Sequence, residues 1–163
     1  MRKVIMGLAL LTVVGSGAVA QLLQLPQQVA TRFGVLSVDK NRMLLFDGHP
    51  LDPPVQGNSS LDLGKPIRIS ATDVVLVRDN GGTACPFLYY FVTVSKAGVE
   101  VTPSFGTCGK LTNIKRIGKS ISVTLRGYRG PFEPEAERRR VAKERHEFIL
   151  REGVVTEKVK TVK

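Results

Sequence analysis

From Gly34 onward, apolar and polar residues alternate with a period of two over short runs separated by turn residues, the pattern of half-buried β-strands. Val35, Leu36 and Val38, the polar turn Asp39-Lys40-Asn41-Arg42, and Met43 to Phe46 predict a first hairpin. Asp47-Gly48 turns the chain into residues 49–60, where Pro50, Pro53 and Pro54 remove ladder donors and predict a surface or edge segment. Pro66 to Ser70 and Val74 to Arg78 follow as strands. Val74-Val75-Leu76-Val77 is apolar on both faces, as in a strand covered on two sides.

After the turn residues Asp79 to Gly82, Phe87 to Ser95 alternates again. Leu88, Tyr90, Val92 and Val94 are assigned to the core. The aromatic set Phe87, Tyr89 and Phe91 then faces the other way, packing under the proline-rich loop or forming a contact patch. Ala97-Gly98 reverses the chain through Val99 and Val101 toward Cys108. Leu111 to Ile117 and Ser120 to Arg126 form another hairpin about Gly118-Lys119, with Ile121, Val123 and Leu125 inward.

The period changes at residues 133–145. Glu133-Pro134-Glu135 supplies a proline and acids at a helix start, and Arg138, Arg139, Arg140 and Lys143 follow toward its end, an order that suits the helix dipole. Ala136, Val141 and Ala142 are its only residues suited to burial, so this helix is short and peripheral. His146 to Arg151 and Val154-Val155 close the pattern as a terminal hairpin. The expected fold is mainly β: an antiparallel sandwich or partly open barrel of about eight to ten strands with one short C-terminal helix.

The first 20 residues change what the cysteines mean. Arg2 and Lys3, an apolar run from Val4 to Val14, and small residues ending Ala18-Val19-Ala20 have the layout of a secretory signal peptide. Residues 1–20 are thus expected to be a cleaved signal, 21–33 a flexible leader, 34–156 a single β domain, and 157–163 a basic tail that frays. Export to the periplasm or beyond a bacterial cell exposes Cys85 and Cys108, the only two cysteines, to an oxidising compartment. A disulfide between them is expected at the open end of the hairpin that turns at Ala97-Gly98.

Charge adds one asymmetry. Of the formal +10, Arg2 and Lys3 leave with the signal; residues 21–109 hold seven basic and seven acidic side chains, and residues 110–163 hold fifteen and seven. The excess lies wholly in the C-terminal third and offers a basic face to anionic material. Outside the cytoplasm that points to an anionic envelope component or an acidic protein and away from nucleic acid. Arg138, Arg139, Arg140 and Lys143 are its densest row.

Catalytic chemistry is thin. His49 and His146 are the only histidines, the thiols are committed, and neither a metal-ligand spacing nor a cofactor motif occurs. Asp73 and Asp79 bracket one strand, where they are expected as turn formers. A small hydrolase would need His49 or His146 in a cleft beside a carboxylate or hydroxyl.

The block Asp79 to Pro86 (DNGGTACP), a strand, and then Ser104 to Cys108 (SFGTC) resembles a group of uncharacterised exported proteobacterial proteins carrying GG-x-x-CP and FGTC motifs in that order. The resemblance spans roughly Gly48 to Tyr128. It implies an exported bacterial β-domain and transfers no catalytic residue. The expected function is therefore a non-enzymatic exported binding module, of inhibitor, immunity or envelope-accessory type, with contacts at Phe87, Tyr89 and Phe91 or at the basic row. A hydrolase is one alternative. A structural envelope protein without a ligand is the other, favoured if the aromatic set is wholly buried.

Overall fold

The computed structural model describes residues 27–160, and side chains as far as residue 158. The expected signal peptide, most of the leader and the last three residues lie outside the described residues.

Three antiparallel sheets make up the fold. The first is a meander of β1 (Gln28–Thr31), β2 (Gly34–Val38), β3 (Leu44–Phe46) and β4 (His49–Pro50). The second contains β5 (Ser60–Leu63), β6 (Ile67–Ile69), β7 (Thr72–Asn80), β8 (Phe87–Ser95), β9 (Gly98–Val101) and β10 (Phe105–Cys108). The third is a meander of β11 (Leu111–Ile117), β12 (Ser120–Arg126), β13 (Arg145–Arg151) and β14 (Val154–Lys160), with helix α1 (Glu135–Val141) in the connection from β12 to β13.

The second sheet is the middle layer. Its spine is the nine-residue pair β7 and β8, in register from Thr72 opposite Ser95 to Asn80 opposite Phe87. β5 and β6 flank β7 on one side, and β9 and β10 flank β8 on the other. Because side chains alternate across a strand, Val75, Val77, Val92 and Val94 meet Leu36, Leu44, Leu51, Val55 and Leu61 on one face. Val74, Leu76, Tyr89 and Phe91 meet Ile121, Val123, Leu125, Phe148 and Leu150 on the other. The result is a three-layered β structure with two cores; none of its sheets closes into a barrel.

This corrects the expectation for β8. Val92 and Val94 are buried as assigned, but Tyr89 and Phe91 are buried too, because the third sheet covers the face that had been read as outward. Phe105 carries that packing across the layers, with its ring centroid 5.0 Å from Phe91 and 5.1 Å from Phe148.

Three further expectations change. The stretch read as a flexible leader contains β1, paired with β2 from Gln28 opposite Ser37 to Thr31 opposite Gly34. The stretch read as a fraying tail from residue 157 is paired through Lys160 as part of β14. Asp73 is also no turn former. It is 1% exposed, and its carboxylate accepts hydrogen bonds from the Arg32 backbone N–H (2.7 Å) and Arg32 Nε (2.8 Å). Arg32 also donates to the Thr72 and Ser70 carbonyls, so one side chain staples the first sheet to the middle layer. Asp79, likewise buried, accepts from the Asn58 N–H at 2.8 Å.

The cysteines behave as expected. Cys85 and Cys108 are at disulfide distance (Sγ–Sγ 1.97 Å, Cα–Cα 4.7 Å), and Cys108 lies opposite Phe87 at the open end of the β8 hairpin. The preceding Gly81 must lack a side chain, since a Cβ there would come within 2.1 Å of the Cys85 carbonyl oxygen.

Candidate functional site

Two layers that pack face to face but end at different places leave a seam at their edges. On the β5–β6 side of the middle layer, the third sheet ends at β11, and between them lies a cleft of about 390 Å³. Leu63, Ile67 and Leu76 line it from the middle layer; Leu111 and Ile114 line it from β11, with the buried Tyr89 beneath. Ile114 is 37% exposed, a large apolar side chain partly open to water.

The polar groups of the cleft are occupied by the fold. The Tyr89 hydroxyl donates to the Gly109 carbonyl (3.3 Å) and accepts from the Leu111 N–H (3.0 Å), fixing the start of β11 against the floor. Burial raises the pKa of this phenol above its ordinary value, with the Leu111 N–H and the Arg78 charge opposing the rise. At the lip, Arg78 Nε donates to Asp62 Oδ2 at 3.0 Å, and Nη2 also contacts that oxygen. Asn80 Nδ2 adds a third hydrogen bond to it at 2.9 Å. Burial works to raise the Asp62 carboxyl, but Asn80 and Arg78 outweigh it and hold the group below the ordinary carboxylate range. The Arg78 guanidinium lies 5.2 Å over the Phe87 ring, which keeps its direction. Lys65 stands exposed on the same lip.

The structure separates the residues proposed from sequence. Phe87 is half-buried beneath Arg78, Tyr89 underlies the cleft, and Phe91 is enclosed in the core, so the three form no common contact patch. Burial of Tyr89 and Phe91 is what a purely structural role would favour; the cleft offers another surface in place of the aromatic one.

Arg138, Arg139 and Arg140 of the basic row lie on α1 and Lys143 just beyond it, and two of the four are paired with carboxylates. Arg139 pairs with Glu135, and Arg140 pairs with Glu137 (2.6 Å) and Glu144 (3.0 Å). The hydrogen bond from Arg140 holds the Glu137 carboxyl below its usual range against the opposing effect of desolvation, with the charges of Arg140 and Arg129 adding to the lowering. Arg138 Nε donates to the Glu133 carbonyl, and Lys143 is exposed. Of the residues expected to be buried on this helix, Val141 is and Ala136 and Ala142 are not. The preceding loop is tied to the disulfide loop by the Tyr128 hydroxyl, which donates to the Thr83 carbonyl at 2.6 Å, and it carries Phe132, 97% exposed.

His49 is exposed on β4. His146 lies between two carboxylates, with Nδ1 2.6 Å from Glu157 and Nε2 3.3 Å from Glu144. That meets half of the hydrolase requirement, but His146 lines neither the cleft nor the α1 surface. A larger hollow of about 1020 Å³ between β1–β3 and β5 abuts Gln27, where the described residues begin. Among the described residues no cluster of His, Cys, Asp and Glu could hold a metal ion, and no helix is long and apolar enough to cross a membrane.

Asp62, Lys65, Ile67, Leu111 and Ile114 were missed from sequence. One signal was available in Leu111-Thr112-Asn113-Ile114-Lys115-Arg116-Ile117, where apolar residues recur every third position and cannot all share one face of a regular strand. The register shifts between Leu111 and Asn113, a bulge that puts Leu111 and Ile114 on the cleft side. Comparison with protein-family models, curated proteins and solved structures finds no match for this chain.

Proposed function

We propose that the protein is an exported, non-enzymatic binding module that takes a protein partner at the cleft between its middle layer and β11. One observation carries this reading. The hydroxyl and the carboxylate of the cleft are both engaged in hydrogen bonds of the fold, so what the cleft presents outward is apolar surface bordered by cations. Such a site favours burial of a ligand over proton transfer. Export is supported by the signal-like N-terminus, by the cysteine pair at disulfide distance and by the resemblance to exported proteins. The ion pairs on α1 leave the basic row a weaker candidate for contact with anionic envelope material.

The test compares immobilised wild type with Ile114→Arg, which fills the cleft mouth with a charged side chain. From periplasmic extract, wild type is expected to retain a protein that the variant releases. Equal retention by both overturns the reading, as does a hydrolytic activity of the pure protein that His146→Gln abolishes.

A further inference from the structure

We infer that the cleft receives an extended acidic peptide segment, which adds as a strand to the open edge of β11 and places alternate apolar side chains in the cleft. This rests on the binding-module reading and names the partner's chemistry. β11 is seven residues long, pairs with β12 on one side, and has no strand on the other among the described residues.

Its free backbone groups follow from the turn. Gly118 and Lys119 form a two-residue connection with Gly118 at φ 59°, which makes Ile117 and Ser120 a hydrogen-bonded pair. Alternation from there directs the N–H and C=O of Ile114 and Arg116 away from β12, to the edge that borders the cleft. Ile114 thus offers both its apolar side chain to the cleft and its peptide groups to an incoming strand, the two elements of strand addition.

Charge selects the occupant. Lys110, Lys115 and Lys119 lie on or beside β11, and Lys65 lies on the facing lip; all four are exposed, and none pairs with a carboxylate among the described residues. Asp62, the acid of the lip, is already held by Arg78. A second copy of this chain is a poor occupant, since β11 paired antiparallel with β11 through Ile114 and Arg116 sets Lys115 opposite its own copy and brings two lysine-rich edges together, the usual way an edge strand is protected from self-pairing. An acidic strand meets no such repulsion. Arg116 holds the far end of the cleft in place by donating to the Arg68 carbonyl at 2.9 Å.

The experiment uses the disulfide-intact protein and a labelled peptide of alternating Glu and Val, followed by fluorescence anisotropy. Binding is expected to weaken with salt, and to fall by more than about tenfold when Gln replaces Glu or when Lys115→Glu and Lys119→Glu are combined. N-methylation of one alternate set of peptide nitrogens should abolish binding, whereas methylation of the other set leaves it within about twofold, because only one set faces β11. Absence of binding overturns the proposal, and so does binding indifferent to which set is methylated, which marks electrostatic adsorption alone. A concentration-dependent dimer lost in Ile114→Arg overturns it in favour of a second copy. If the peptide fails while Ile114→Arg still releases the extract partner, strand addition falls and the binding-module reading stands.

Discussion

Phe91 and Val92 are neighbours in the chain whose side chains enter different cores, so replacing each in turn measures whether β8 is covered on both faces. Phe91 is fully buried and stacked on Phe105. Removing its ring in Phe91→Ala opens a void among rigid strands, for which about 3–5 kcal/mol is expected. Val92 is equally buried. Val92→Ala deletes two methyl-sized groups at about 0.8 kcal/mol each, and the unfilled space brings the loss to about 1.5–3 kcal/mol. Because a domain has only about 5–15 kcal/mol in all, the double variant is best made with Phe91→Leu, which keeps most of the volume. The two faces share no packing partners, so the double loss should equal the sum of the singles within about 0.5 kcal/mol. Urea unfolding with the disulfide intact provides the assay, read as a lower midpoint at unchanged slope. A loss below about 0.5 kcal/mol for either single variant would refute two-sided burial.

Other consequences follow. Arg32→Met leaves the Asp73 carboxylate buried without its guanidinium; since Arg32 keeps 34% of its side chain in water, a loss of about 2–3 kcal/mol in the same assay is expected, toward the low side for a broken buried pair. A loss under about 0.5 kcal/mol would assign the contact to the surface class. Reduction should add two hydrogens to the mass and lower stability by roughly 3 kcal/mol, given the 23-residue separation of Cys85 and Cys108; free thiols in the purified exported protein contradict this. Burial raises the pKa of Tyr89 and, with help from the Asp79 charge, of Tyr90. Their contribution to stability is complete below about pH 10, the unfolded value, and is lost as pH rises through the folded values. Phenolate absorbance should therefore appear together with unfolding on the alkaline side. Asp62 acts oppositely: its lowered pKa gives a contribution present above about pH 4 and lost as pH falls through its folded value, which Asp62→Asn should remove.

The hairpins, the polar helix and the cysteine pairing were legible because each rests on local chemistry: turn residues, a period of two, or an acid-to-base gradient. Val74 to Val77 were rightly placed between two layers because all four are apolar. The same test applied to Phe87-Leu88-Tyr89-Tyr90-Phe91-Val92 would have placed β8 there also. Alternation identifies a solvent face only when the two sets differ in polarity, and here they do not. β5 was hidden because Ser60 to Leu63 is short and follows a proline-rich segment. The Arg32–Asp73 staple joins residues 41 apart and leaves no local trace. The cleft arises from where sheets end relative to one another, and only the broken alternation of β11 announces it.

Amide hydrogen exchange along the whole chain, with and without the Glu-Val peptide, tests most directly whether the seam between the layers is where a partner docks. Added protection should be confined to Ile114 and Arg116 on β11 and to residues facing them on β5 and β6, with α1 and the strand around His146 unchanged. Protection appearing on α1, or none at β11 at peptide concentrations that saturate binding, would contradict it.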